Sequence, residues 1–137
     1  MIIDHIRDWE EFKNLYESRP MPSQYEFNWL VNNPNLFCFY DELSGKLRGF
    51  ITVQNEEGEL TLSGISIRKN FKDNIEAVKT VCNAFKQDIY SYTPLKEAGL
   101  VLKKSGFEKV YTDNNGITKW SFKYGQEKST CISKFNG

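Results

Sequence analysis

The spacing of apolar residues predicts a short strand followed by two helices in the first part of the chain. After an apolar start at Met1–Ile6, apolar side chains recur every three or four residues from Trp9 to Tyr16 and again from Phe27 to Val31, which is the period of an amphipathic helix. Asp8 and Ser23 come just before these segments, and each is followed three residues later by a glutamate. This arrangement is typical of a capped helix start. In the first helix, Trp9, Phe12, Leu15 and Tyr16 are predicted to fall on one apolar face.

The period becomes that of strands from Leu36 onward. Three apolar runs, separated by turn sequences that contain Gly45 and Gly58, predict an antiparallel meander of strands. Further along, the pattern predicts a helix between Asn74 and Gln87, a short strand, a helix that begins near Pro94, and a closing hairpin. The predicted strands are Leu36–Tyr40, Leu47–Val53, Glu59–Ile67, Ile89–Tyr92, Phe107–Tyr111 and Ile117–Phe122.

This order of elements restricts the fold class. A meander followed by a helix and another strand places a parallel crossover beside antiparallel strands. We therefore predict an α/β (α+β) fold with a mixed, mostly antiparallel sheet flanked by helices. Residues 1–122 form one predicted domain. The polar segment 123–137 is a predicted C-terminal tail, which we expect a neighbouring molecule to order.

Composition excludes several classes of function. The 137 residues carry 18 Lys and Arg against 18 Asp and Glu, so the chain lacks the net positive charge that non-specific nucleic-acid binding requires. There is no apolar run of about 20 residues and no signal peptide at the start, which indicates a cytoplasmic protein without a membrane span. With one His and three widely spaced Cys, we expect no metal site and no disulfide framework; Cys38 and Cys82 are predicted core residues.

One segment links this pattern to a known family. The stretch from Ala98 to Val110 resembles the helix that ends in Gly-Phe before the sixth strand of GNAT proteins, the acyl-CoA-dependent N-acetyltransferases. The predicted order of elements is similar to that of this superfamily from Met1 to Phe122. The resemblance implies a GNAT-like fold, with acetyl-CoA as the cofactor if the protein is active.

The resemblance also implies positions for that cofactor. In the family, main-chain groups of the fourth strand pair with pantetheine, and here that part of the strand is Ile65, Ser66 and Ile67. A glycine-containing loop and the following helix N-terminus hold the pyrophosphate in the family. The corresponding stretch here runs from Arg68 to Glu76, so the remaining cofactor positions implied are Lys69, Lys72 and Asn74.

The sequence departs from the family pattern in two places. The stretch from Arg68 to Glu76 has no glycine, although a phosphate cradle needs close approach of the backbone. We therefore expect acetyl-CoA to bind weakly or not at all. Leu102 stands where the family often has the tyrosine that serves as general acid, so no catalytic residue is assigned; Tyr111 is an alternative acid, and Glu57 and Glu59 are candidate general bases.

Two functions remain open from the sequence. The stretches Arg68–Lys72, Tyr90–Thr93 and Leu102–Phe107 resemble short GNAT-like proteins of tailed bacteriophages, including a small internal virion protein. This resemblance implies an accessory or virion-associated protein in a bacterial host, which acts through protein–protein assembly or as a homo-oligomer without acetyl transfer. The alternative is an acetyl-CoA-dependent N-acetyltransferase with a diverged phosphate loop.

Overall fold

The computed structural model describes residues 1–67 and 71–125, without the side chains of 64–67 and 71. This part of the chain contains seven strands and four helices in the predicted order. The strands are β1 Ile2–Asp4, β2 Leu36–Tyr40, β3 Leu47–Glu56, β4 Glu59–Ile67, β5 Ile89–Thr93, β6 Glu108–Thr112 and β7 Thr118–Phe122. The helices are α1 Trp9–Glu17, α2 Gln24–Val31, α3 Phe71–Phe85 and α4 Lys96–Lys104.

The strands form one mixed sheet in the order β1-β2-β3-β4-β5-β7-β6. β4 and β5 pair in parallel at Thr61 and Tyr90, whereas β1 with β2, β2 with β3, β5 with β7 and β6 with β7 pair antiparallel. A mostly antiparallel sheet with four helices confirms the predicted fold class. The chain divides into two compact units: Met1–Gln54 with the described residues of Leu62–Asn70, and Asn55–Thr61 with the described residues of Phe71–Gly137.

The first unit has a core of aromatic and aliphatic side chains from α1, α2, β2 and β3. The ring of Phe12 packs against that of Phe50, with 5.3 Å between the ring centroids. Trp9 does not join this core, because its side chain is 58% exposed; the prediction for Trp9 was wrong. The buried members of the core are Phe12, Leu15, Tyr16, Leu30, Leu36, Cys38, Tyr40 and Phe50.

Both predicted helix caps are confirmed, although neither glutamate completes a capping box. The carboxylate of Asp8 accepts from the amides of Glu10 and Glu11, and the hydroxyl of Ser23 accepts from the amide of Glu26. The Glu11 carboxylate instead accepts from the amide of Leu47 at 2.8 Å. Each glutamate side chain makes a tertiary contact instead of a cap hydrogen bond. A single side-chain oxygen, from Asp8 or from Ser23, therefore caps each helix.

The second unit buries one side of α3 and α4. Its fully buried residues include Val78 and Cys82 of α3, Ile89 of β5 and Leu102 of α4. The α4 helix is followed by Gly106 with a φ of 106°, a left-handed position that favours glycine. Beyond β7, Lys123 and Tyr124 both contact the carboxylate of Asp88. Residues 126–137 of the predicted tail lie outside the described residues.

Candidate functional site

The predicted cofactor positions fall at the end of β4 and the beginning of α3. Ile65, Ser66 and Ile67 are the last residues of β4, and Lys69 lies outside the described part of the chain. Lys72 and Asn74 belong to the first turn of α3, where Lys72 is exposed and Asn74 is half-buried. Their role in cofactor binding stays a prediction.

The first turn of α3 offers partners of the kind that a CoA molecule needs. The first N–H groups of a helix have no intrahelical acceptor and carry partial positive charge, which the ammonium group of Lys72 increases and the carboxylate of Asp73 decreases. The amide oxygen Oδ1 of Asn74 is buried and has no hydrogen-bond partner in the described structure. Donors suited to phosphate, and a buried side-chain oxygen without a partner in the described structure, therefore occur within one helical turn.

A second cluster of polar side chains lies on one face of the neighbouring strands β4, β5, β7 and β6. Directly paired residues of antiparallel strands place their side chains on the same face. Tyr92 pairs with Lys119, and Lys119 pairs with Tyr111. Tyr90 and Glu59 complete this cluster, which we call the tyrosine face: Glu59, Tyr90, Tyr92, Tyr111 and Lys119. Trp120 points to the opposite face of the sheet, where its ring contacts α4.

The charged groups of the tyrosine face form a closed network. Lys119 Nζ donates to Glu59 Oε2 at 2.8 Å, and Tyr92 Oη donates to Glu59 Oε1 at 2.7 Å. The same ammonium nitrogen lies 4.6 Å from the ring centroid of Tyr90 and 5.5 Å from that of Tyr92. Two aromatic rings and one carboxylate therefore surround the cation, a geometry that favours its charged form.

This network fixes the charge states of its members at neutral pH. Hydrogen bonds from Lys119 and Tyr92 hold the pKa of Glu59 below its ordinary value, and the bond to Glu59 holds the pKa of Lys119 above its ordinary value. Partial burial, together with the bond to Glu59, raises the pKa of Tyr92. Glu59 is thus a carboxylate, Lys119 an ammonium group, and Tyr92 a protonated phenol.

The four candidate catalytic positions have different surroundings. Glu59 and Tyr111 both belong to the tyrosine face, whereas Glu57 lies exposed in the β3–β4 turn with a φ of 51°. Leu102 is 1% exposed, so this position holds a buried apolar side chain without a proton to donate. Sequence reasoning assigned no role to Tyr92 and Lys119. The only indication of their role would have been the register of β5 against β7, which places Tyr92 beside Lys119.

The described residues contain neither a metal-binding cluster nor a membrane-spanning helix. Within 1–67 and 71–125, no group of three or more His, Cys, Asp or Glu side chains is placed to hold a metal ion. In the same ranges, no helix has both the length and the apolar character needed to cross a membrane.

Comparison with solved structures identifies the fold. An acetyltransferase from Bacillus subtilis, solved in complex with CoA, matches with a TM-score of 0.63 and 11% identity, over 88% of this chain and 97% of the other. The GNAT domain of S. lividans PAT matches with a TM-score of 0.66 and 10% identity, over 88% of this chain and 89% of the other. This chain has the GNAT fold.

A third GNAT-fold neighbour acts on a protein. The ribosomal-protein-S18-alanine N-acetyltransferase of Escherichia coli matches with a TM-score of 0.64 and 12% identity, over 90% of this chain and 93% of the other. No protein-family model matches the chain, and no curated protein matches its sequence. A shared fold does not determine the substrate, which depends on the residues of the site itself.

Proposed function

We propose that the protein is an acetyl-CoA-dependent N-acetyltransferase whose tyrosine face receives the amine that is acetylated. The GNAT fold and its similarity to acetyltransferases, one of them solved with CoA, support this proposal. The observation that carries it is the pair of hydrogen bonds from Tyr92 and Lys119 to the Glu59 carboxylate. This network places a carboxylate, its paired ammonium group and a protonated phenol side by side on one face of the second unit.

Acetyl transfer to an amine requires two proton movements, and the tyrosine face has a group for each. When the acceptor reacts as a neutral amine, the Glu59 carboxylate accepts the proton that its nitrogen loses, and Lys119 stays bound to the other carboxylate oxygen. That proton returns along the hydrogen bond to Tyr92 once the phenol has given its own proton to the departing thiolate. Tyr92 is 41% exposed and holds a phenolic proton, which a departing thiolate needs. In this proposal Tyr92 supplies the acid that Leu102 cannot supply.

Acetyl-CoA is the acetyl donor when it is bound. In the proposal, Lys72 and the first N–H groups of α3 hold its diphosphate, and Asn74 Oδ1 accepts a hydrogen bond from an amide N–H. The main chain of Ile65, Ser66 and Ile67 and the side chain of Lys69 are the remaining positions that the family resemblance assigns to it.

Calorimetry with acetyl-CoA, followed by an assay of CoA thiol release, tests this function. We expect a Kd well below about 1 mM, a loss of affinity in Lys72→Met and Asn74→Ala, and no change in Lys79→Met, an exposed lysine further along α3. With a panel of primary amines and peptides, Tyr92→Phe should lower kcat by about 10²-fold or more, whereas Tyr25→Phe in the first unit should not. Absence of acetyl-CoA binding at about 1 mM in the wild type would refute the proposal.

A second candidate is an assembly protein of the virion-associated type that does not transfer acetyl groups. The observation that favours it is a groove of about 520 Å³ in the first unit, lined by Tyr25, Trp29 and Pro34 among others. Tyr25 is 84% exposed and Trp29 is 38% exposed, and exposed aromatic side chains are common at the centre of protein interfaces. The buried leucine at position 102 also agrees with a scaffold that lacks the family's usual acid.

Oligomeric state separates the two candidates when it is measured beside acetyl-CoA binding. Sedimentation should show self-association of the wild type that Trp29→Ala and Tyr25→Ala weaken, if the assembly function is correct. An assembling protein that fails to bind acetyl-CoA supports the second candidate. A monomer that releases CoA thiol in the presence of an amine supports the first.

A further inference from the structure

A pocket of about 470 Å³ opens in the second unit between the beginning of α4 and the β6–β7 hairpin. We call it the α4 pocket. A volume of this size suits a small organic ligand, and none of its residues takes part in the acetyl-transfer proposal. Its lining includes Leu95, Lys96, Leu100, Lys103, Lys109 and Trp120.

The charged groups of the α4 pocket are all positive. Lys96, Lys103 and Lys109 line it, and no carboxylate is among the lining residues. Within the described part of the chain, none of these three lysines forms a salt bridge. Three ammonium groups without an ion-pair partner around one concave surface favour the binding of an anion.

The beginning of α4 adds further donors at the same pocket. Leu95 occupies the N-cap position and makes no side-chain cap hydrogen bond. The amide of Gly99 donates to the carbonyl of Leu95, which is the first intrahelical hydrogen bond of α4. The amides of the residues between Leu95 and Gly99 therefore have no acceptor within the helix. These amides reinforce the preference for an anion.

Part of the lining of the α4 pocket is apolar. The indole of Trp120 lies against the backbone of α4 at Gly99, and its Nε1 is buried without a hydrogen-bond acceptor in the described structure. Leu95 and Leu100 border the pocket and are 65% and 48% exposed. A flat apolar ligand would cover this surface and remove it from water.

We propose that the α4 pocket binds a small molecule that joins an anionic head, carboxylate or phosphate, to a flat apolar body. The three lysines and the first turn of α4 bind the head, and the Trp120 ring with Leu95 and Leu100 binds the body. An isolated anion should bind more weakly because it leaves the apolar surface uncovered. A neutral apolar molecule should bind more weakly because it makes no ion pair with the lysines. The site goes beyond acetyl transfer and does not depend on it.

The test follows the indole N–H resonance of Trp120, assigned with Trp120→Phe, in ¹⁵N-labelled protein. The probes are 2-naphthyl phosphate, 2-naphthoate, neutral 2-naphthylmethanol and inorganic phosphate. We expect a saturable shift with at least one naphthyl anion, at least about 10-fold weaker binding of the neutral probe and of inorganic phosphate, and weaker binding at higher salt. The ratio of the affinities for 2-naphthyl phosphate and 2-naphthoate then identifies the preferred head.

Lysine variants supply the matched comparison. Lys103→Met and Lys109→Met should each weaken the naphthyl anion about 3- to 5-fold, whereas Lys104→Met, the next residue on α4 but outside the pocket, should not. The proposal is overturned if no probe shifts Trp120 saturably, if the neutral probe or inorganic phosphate binds as well as the naphthyl anions, or if Lys104→Met has the same effect as Lys103→Met. Spectra of the unliganded variants verify that each one is folded.

Discussion

Lys119 of β7 places its ammonium nitrogen 2.8 Å from a carboxylate oxygen of Glu59 at the start of β4, although 60 residues separate the two in sequence. Strand β5 lies between them in the sheet order, and its Tyr92 donates to the other oxygen of the same carboxylate. The network therefore spans three neighbouring strands. Both carboxylate oxygens of Glu59 accept hydrogen bonds from side chains of the second unit.

Glu59→Gln should lower the free energy of unfolding modestly and in a pH-dependent way. The pKa of Glu59 lies below its ordinary value of 4.5 in the folded protein, so its stabilising effect is fully present above that value and is lost as the pH falls through the lowered pKa. Because the pair is partly exposed, we expect a loss of about 0.5–1 kcal/mol near neutral pH. Urea unfolding of both proteins over a series of pH values measures the difference.

Glu57→Gln is the control, since Glu57 lies in an exposed turn two residues away. It should change stability little at any pH. A difference between wild type and Glu59→Gln that stays constant from neutral to acid pH would mean that the charge of Glu59 does not contribute.

Gly99→Ala should destabilise the second unit although it improves helix propensity. A Cβ at position 99 would lie 2.9 Å from Cζ2 of Trp120, which is too close for two carbon atoms. The propensity gain of about 1 kcal/mol is therefore outweighed by an overpacking cost of about 1–3 kcal/mol. A thermal or urea unfolding curve measures the net change.

Shortening the tryptophan tests the cause of that effect. In a Trp120→Leu background the ring no longer occupies the space beside position 99, so Gly99→Ala should become neutral or stabilising by up to about 1 kcal/mol. An equal loss of stability in both backgrounds would show that the contact with Trp120 is not the reason.

Local chemistry accounts for what the sequence predicted well. Asp8 and Ser23 cap their helices because the side-chain oxygen of a cap bonds to amides only two or three residues away. Cys38 and Cys82 are both fully buried, in agreement with their place in the apolar pattern. Trp9 was misassigned because periodicity gives the direction of a side chain and not the extent of the core along the helix.

The candidate site was harder to predict because its contacts depend on strand register. The network of Glu59, Tyr92 and Lys119 requires β4 beside β5 and β5 beside β7, in a register that no local spacing encodes. The contact between Gly99 and Trp120 has the same origin. The family resemblance led to the correct fold, but a fold shared at 10–12% identity with acetyltransferases leaves the roles of individual residues to their own geometry.

Cys38 and Cys82 should resist alkylation as long as the protein is folded. Burial raises the pKa of each thiol to about 12, and the thiolate is the reactive form. In a Cys131→Ser variant, which leaves only these two cysteines, iodoacetamide at neutral pH should label neither thiol on the time scale on which it labels both in denaturant. Mass spectrometry measures the labelling, and rapid modification of the folded variant would contradict the buried positions.

Tyr16→Phe should destabilise the first unit by about 1–3 kcal/mol. The hydroxyl of Tyr16 accepts from the amide of Ser23 at 2.8 Å and donates to the carboxylate of Glu26 at 2.7 Å, so it connects α1 to the beginning of α2. Phenylalanine keeps the ring and its contact with Phe27, at 5.4 Å between centroids, but leaves the Ser23 amide without that acceptor. Both hydrogen bonds of the hydroxyl are lost, whereas the apolar packing is unchanged.

Urea unfolding and amide hydrogen exchange together test this explanation for Tyr16. Tyr25→Phe is the matched control, because the Tyr25 side chain is 84% exposed and its loss of a hydroxyl should change stability by less than about 0.5 kcal/mol. In Tyr16→Phe the Ser23 amide should also exchange faster, since it has lost its acceptor. If Tyr16→Phe matches the control in stability while the Ser23 amide stays protected, another group must be satisfying that amide, and the hydroxyl of Tyr16 does not hold the two helices together.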